Sequence, residues 1–288
     1  MTIKTILACV SSADSGRSAL ECACLLARRC NAHVEVLHVR ADPRSLVPYT
    51  GEGMDGSMIE EIMDVTEREG GERAFQAKQM FNEFCATQGI TVTDTPSMVA
   101  EPTISWQEVS GREDEVVAVR GRLFDLVVVG RSVKDSALPS PITLEAALLD
   151  TGRPILVAPP TAPTAAGHSI AVAWESSLEA ARSISYAMPL LAAAGSVMLL
   201  SPEPVEPPSI PVEDLVQRLA WSGIGATVTK FDVTNLEIGS AFLTQACTVG
   251  ADLLVKGAYS RSRLRQMILG GRTRHIITNA ELPVLLSH

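Results

Sequence analysis

The segment that decides the fold is ADLLVKGAYSRSRLRQMILGGRTRHIITNAELPVLLSH, residues Ala251 to His288. Ala251 to Lys256 reads as a buried strand, because a short, almost continuous apolar run follows one acidic residue and stops at Gly257. A loop carrying Arg261, Arg263 and Arg265 comes next. The Gly270-Gly271 pair then opens a helical pattern, with Ile276, Ile277 and Ala280 at helical spacing; Pro283 ends it, and Pro283 to His288 forms a short final strand. A strand, a basic glycine-bounded loop and a helix start make an anion cradle, since the free N–H groups and dipole of a helix N-terminus both favour negative charge. Lys256, Arg261, Arg263, Arg265, Arg272 and Arg274 lie between Asp252 and Glu281 with no acidic residue among them, in a chain of net charge −9.

Working outward, the same phrase occurs earlier. FDLVVVG followed by RPILVAPP parallels ADLLVKG followed by LPVLLSH, with 24 residues from Gly130 to Pro154 and 26 from Gly257 to Pro283. This is an internal duplication. Residues 1–158 form one unit, the Pro-, Ala- and Thr-rich segment 159–168 a linker, and residues 169–288 a second unit. In the first unit, strands are expected at Ile3 to Val10, His33 to Val39, Thr91 to Val99, Phe124 to Val129 and Pro154 to Ala158. Helices are expected after the first strand, from Ser57 to Gln88 with a break at Gly70-Gly71, from Ile104 to Arg120, and from Ile142 to Leu149. The second unit repeats this order. Strand–helix–strand alternation demands parallel sheets with right-handed crossovers. Each final strand is short and begins with Pro, as suits a sheet edge, so the two units are expected to pair through these strands about a pseudo-two-fold axis.

Composition narrows the function. A length of 288 residues suits two cores without disulfides. The six cysteines are scattered, and Cys22 and Cys24 fall on different faces of a helix, so reduced thiols are expected rather than a disulfide framework or a metal clasp. The longest nearly apolar stretch, Tyr186 to Leu200, is broken by Pro189, Gly195 and Ser196 and falls short of the roughly 20 residues that span a bilayer. A soluble, cytoplasmic protein is therefore expected, with no membrane partner. The acidic balance and few aromatics argue against a nucleic-acid partner. The surplus acid belongs to residues 1–158, with 15 Lys and Arg against 23 Asp and Glu, while residues 159–288 have 9 against 10.

Catalytic signatures are missing. The one GxGxxG, Gly51 to Gly56, follows the second strand rather than the first and places Glu52 and Asp55 where a pyrophosphate would lie. There is no GxxxxGK[ST], HExxH or GxSxG. His275 stands beside the basic helix start but reads more simply as a half-buried helix residue, and Glu113-Asp114-Glu115 as a solvated helix face.

Both halves resemble the universal stress protein family. The second carries AVAWESS at the end of its first strand, GAYSRSRLRQMILGGRT after its fourth, and ELPVLLSH at its end, matching the family's acidic residue, its Gly-x-x-Gly, nine residues, Gly-Ser/Thr motif, and its Pro-Val-Leu strand. The resemblance implies two α/β domains of the adenine nucleotide alpha hydrolase type, each a doubly wound, five-stranded parallel sheet of order 3-2-1-4-5. It also implies a pocket for ATP or AMP, with Mg accompanying ATP, in the second half. Ala173, Trp174, Glu175, Gly257, Ser260, Arg261, Gly270, Gly271 and Thr273 would form the site, with Glu175 toward the base or ribose and the phosphates against Gly270 to Thr273. Ser260 replaces the motif's second glycine and Gly271 its hydroxyl residue. The first half departs further, with Ser11 at the acidic position, Val133 at the second glycine, Thr143-Leu144 at the last glycine and hydroxyl, and Pro139 and Pro141 in the loop, so no nucleotide is expected there. A regulatory, ligand-sensing role follows, with homodimers within the family's range. A ligand-free scaffold and a slow nucleotide hydrolase are the alternatives.

Overall fold

A computed structural model describes residues 2–46, 56–96, 101–131, 140–203, 210–233, 237–258 and 271–288. The first half contains β1 (Thr5–Cys9), α1 (Ala13–Cys30), β2 (His33–Ala41), α2 (Pro43–Leu46), α3 (Gly56–Gln88), β3 (Thr91–Val92), β4 (Thr103–Gly111), α4 (Glu113–Arg120), β5 (Leu126–Gly130), α5 (Pro141–Asp150) and β6 (Ile155–Ala158). The second contains β7 (Ser169–Ala173), α6 (Leu178–Ala192), β8 (Ser196–Pro202), α7 (Val212–Ala220), β9 (Thr227–Phe231), α8 (Ile238–Thr248), β10 (Leu253–Gly257), α9 (Gly271–Asn279) and β11 (Val284–Ser287).

One sheet runs through both halves in the order β3-β4-β2-β1-β5-β6-β11-β10-β7-β8-β9. The second half is the expected 3-2-1-4-5 arrangement of five parallel strands, and the first has the same order with the short β3 added at its edge. The halves join where β6 meets β11 antiparallel, with Val157 opposite Val284, Leu156 opposite Leu285 and Ile155 opposite Leu286. Covering these two apolar final strands with each other removes two sheet edges at once. Because helices cover both faces, the central strands are apolar on both sides. Ile6, Ala8, Leu156, Ile170, Val255 and Leu285 pack into one core, and Leu7, Cys9, Val157, Ala171, Leu254 and Leu286 into the other. Each core thus crosses from one half to the other.

Two expected elements differ. Residues 104–111 form most of β4 rather than the start of a helix, and the helix begins only at Glu113. The segment TISWQEVSG pairs with β2 along nine residues, and this long-range ladder fixes it as a strand. Of the strand expected at Thr91 to Val99, only Thr91 and Val92 form one, and 97–100 fall outside the described residues. Secondly, α3 is unbroken through Gly70-Gly71. Gly70 is buried facing β2, where an added Cβ would lie 3.2 Å from Arg40 Cγ, so close packing against Arg40 accounts for this glycine without a break.

The duplicated acids before the fourth strands do the same work in each half. Asp125 accepts the backbone N–H groups of Lys4 (2.8 Å) and Thr5 (3.0 Å), and Asp252 those of Gly167, His168 and Ser169 (2.8–3.1 Å). Each carboxylate ties the start of strand four to the start of strand one of its own half.

Candidate functional site

In a doubly wound sheet, ligands sit beyond the carboxyl ends of the strands where the order reverses. In the second half that place lies between β7 and β10. After Ala173 the chain passes through Trp174, Glu175 and Ser176 to Ser177, the N-cap of α6, whose side chain accepts from the Ala180 N–H. Ser176 takes a left-handed φ of 55°, unusual without a glycine. Its hydroxyl offsets the strain by donating to the Ile210 carbonyl (2.6 Å) and accepting from the Ile210 N–H (2.9 Å), while Trp174 Nε1 donates to the same carbonyl (3.3 Å). The turn is thereby latched to the segment entering α7.

Glu175 is not an open acceptor. Lys256 Nζ, from the end of β10, donates to its Oε2 at 2.9 Å; the lysine side chain is 3% exposed and the carboxylate 12%. The ammonium also reaches the Gly257 carbonyl (3.3 Å) and lies 5.6 Å from the centre of the Phe242 ring. Lysine in the otherwise apolar LLVKG was the signal for this pair, since a buried ammonium demands a partner. Gly257 has a packing reason of its own: a Cβ there would come within 2.4 Å of the Ala180 backbone nitrogen, so the residue lets α6 close onto the sheet. Thr273 is buried on α9, and Gly271 is the first residue of that helix. His275 Nδ1 lies 2.8 Å from a Glu237 carboxylate oxygen, which accounts for it without a phosphate. Ser260, Arg261 and Gly270 lie outside the described residues, as do Arg263 and Arg265. The structure therefore brings together Ala173, Trp174, Glu175 and Gly257 at the switch point and adds Lys256, which sequence reasoning had counted only as part of a basic excess.

The corresponding place in the first half, between β1 and β5, also holds a carboxylate. Glu113, expected on a solvated helix face, turns from the first position of α4 toward Ser11, beyond the end of β1, and Thr143 of α5. Ser11 Oγ donates to its Oε1, and Thr143 Oγ1 donates to Oε2 at 3.0 Å. Burial pushes this carboxyl above its ordinary range, against the opposing pull of the two hydroxyls. Next to it His38, 2% exposed, donates Nδ1–H to the Val10 carbonyl (2.7 Å) and stacks on Trp106. Burial pushes the Cys22 and Cys24 thiols up to about 12, so neither is a reactive thiolate.

Among the described residues no helix is long and apolar enough to cross a membrane. Comparison by sequence finds no matching family model and no curated relative. Comparison by structure gives matches along the whole chain. A universal stress protein from Archaeoglobus fulgidus DSM 4304 aligns with 98% of this chain and 97% of its own at 15% identity, with a TM-score of 0.69. A candidate universal stress protein from Pseudomonas aeruginosa UCBPP-PA14 covers 99% and 93% at 16% identity and a TM-score of 0.55. A protein of unknown function from Pseudomonas aeruginosa PAO1 covers 99% and 92% at 15% identity and a TM-score of 0.54. With its duplicated order of strands, its reversal points and these full-length alignments, the chain has the tandem fold of the universal stress proteins.

Proposed function

We propose that this chain is a regulatory stress-response protein of the cytoplasm whose second half takes an adenine nucleotide, while its first half has a structural role. What carries the reading is the Glu175–Lys256 pair at the carboxyl ends of β7 and β10, a charged pair at the reversal of a sheet whose fold is that of the universal stress proteins. Buried ion pairs add little net stability over apolar residues, so a pair kept at a reversal point fits a recognition role. In this reading Glu175 faces the ribose or base, Lys256 offsets its charge, and the phosphates of ATP or AMP lie against the start of α9, with Arg261 closing over them and Mg accompanying ATP.

A specific observation favours a second reading, a scaffold without ligand. Glu175 already has Lys256 as partner, and Gly257 is accounted for by the approach of α6. Calorimetry with ATP and magnesium on the wild type and on Gly270→Val separates the two. Heat from the wild type that is lost in the variant supports the nucleotide site; equal heats, or none at millimolar nucleotide, leave the scaffold. Added ATP that is turned over would move the second half into the hydrolase class.

A further inference from the structure

The carboxylate of Glu113 is placed as a bound anion would be. It lies where the strand order reverses between β2-β1 and β5-β6. Ser11, which donates to one oxygen, is two residues beyond the end of β1, and Thr143, which donates to the other, is the third residue of the ten-residue α5. Thr143 stands in the first turn of α5, which Ser140 caps by accepting from the Ile142 N–H, so the carboxylate lies beside the positive end of that helix. Glu113 lines a cavity of about 230 Å³ together with Ser11, Thr143, Asp114 and three arginines, Arg40, Arg73 and Arg112. A solvated helix face needs neither the two hydroxyl donors, drawn from residues 102 and 30 positions away, nor the burial.

We propose that Glu113 is an autoinhibitory anion: its carboxylate occupies in cis the position between β1 and α5 that a phosphate group would take, and so closes the first half to anionic ligands. The contact uses the two hydroxyls a phosphate oxygen would need, and when ionised its charge opposes a phosphate at those hydroxyls, whereas the cavity beside it is flanked by arginines. Nothing in this depends on whether the second half takes a nucleotide.

The test is calorimetric titration of the full chain with inorganic phosphate, at fixed pH and ionic strength, comparing wild type with Glu113→Gln. Glutamine keeps the size and one acceptor oxygen but withdraws the charge. Any phosphate heat from the second half is common to both proteins, so their difference reports the first half alone. The expected result is an added phosphate site in Glu113→Gln, at least about tenfold tighter than any in the wild type, and lost again in Glu113→Gln/Thr143→Val. Glu113→Ala serves as a second variant with the same expectation. A folded variant, judged by circular dichroism and unfolding midpoint, that binds phosphate no better than the wild type overturns the proposal. In the wild type itself, hydrogen exchange at Ile142 to Leu144 should be indifferent to phosphate, and added protection there would show the site to be open and the proposal wrong.

Discussion

Replacing Asp252 tests the device that the duplication repeats. Its carboxylate accepts N–H groups from Gly167, His168 and Ser169, and its own N–H donates to the Ser169 carbonyl at 2.8 Å, so one side chain fixes where β7 begins against β10. The bonds from Gly167 and Ser169 are part-buried, while that from His168 is exposed and water can replace it. At about 1.5–3 kcal/mol for a hydrogen bond to a charged group, discounted for partial exposure and shared geometry, Asp252→Ala should destabilise by about 2–4 kcal/mol. For a protein of this size that is a fall in melting midpoint of roughly 5–15 °C. Asp252→Asn keeps the oxygen that all three groups approach and should lose less than half as much. Urea unfolding of the three proteins measures the series, and Asp125→Ala should behave like Asp252→Ala. A change below about 0.5 kcal/mol for Asp252→Ala, the size of an ordinary surface substitution, would refute the reasoning.

Lys256→Met leaves Glu175 without its buried cation and should destabilise by about 3 kcal/mol, with Lys256→Met/Glu175→Gln recovering part of the loss; a double-mutant cycle by urea unfolding that returns no coupling would sink the pair. Glu113 has a folded-state pKa above its ordinary value, so the folded state holds a proton that the unfolded state has released, and the group's contribution to stability falls as pH rises from the ordinary carboxylate value through the raised one. Urea midpoints of the wild type relative to Glu113→Gln should therefore decline across that window, and parallel pH profiles would contradict it. Because both cores cross the β6–β11 seam, calorimetric unfolding should show one transition, and Leu285→Ala should lower it through a loss of about 2–5 kcal/mol; two resolved transitions in the wild type would show that the halves unfold separately.

The strands were legible where they are buried on both faces, because LVVVG, ILVA, LLVKG and VLLS are then apolar whichever way a residue points. The Pro-led final strands pointed to the seam for the same local reason. β4 was not legible: Gln107, Glu108 and Ser110 within it suit a helix as well as a half-exposed strand, and the nine-residue ladder with β2 that decides the matter is a tertiary fact. At the site, Glu175 and Gly257 were visible from the resemblance, but their partners were not. Lys256 was seen as one of many cations, although a lone charge in a buried strand should have been read as half of a pair. Glu113 was hidden more thoroughly, since an acidic triplet is what the first turn of any helix favours, and only the distant hydroxyls of Ser11 and Thr143 distinguish its first member from the other two.

The halves differ in the element that supplies the acid at the switch point, and the different roles proposed for them follow from that. In the second half the carboxylate stands at the end of the first strand, and a lysine at the end of the fourth neutralises it. In the first half those two places hold Ser11 and Val129, and the carboxylate comes from α4 instead, held by neutral hydroxyls. An anion about 4 Å from an ionised carboxylate meets a repulsion of about 4 kcal/mol at an effective dielectric constant near 20, before the offset from Arg40, Arg73 and Arg112, which line the adjoining cavity. The same anion beside a neutralised pair meets almost none. In the proposed reading, Lys256 is what makes an acidic residue at the reversal compatible with an anionic ligand in the second half, and no cation at the position of Val129 does the same for Glu113 in the first.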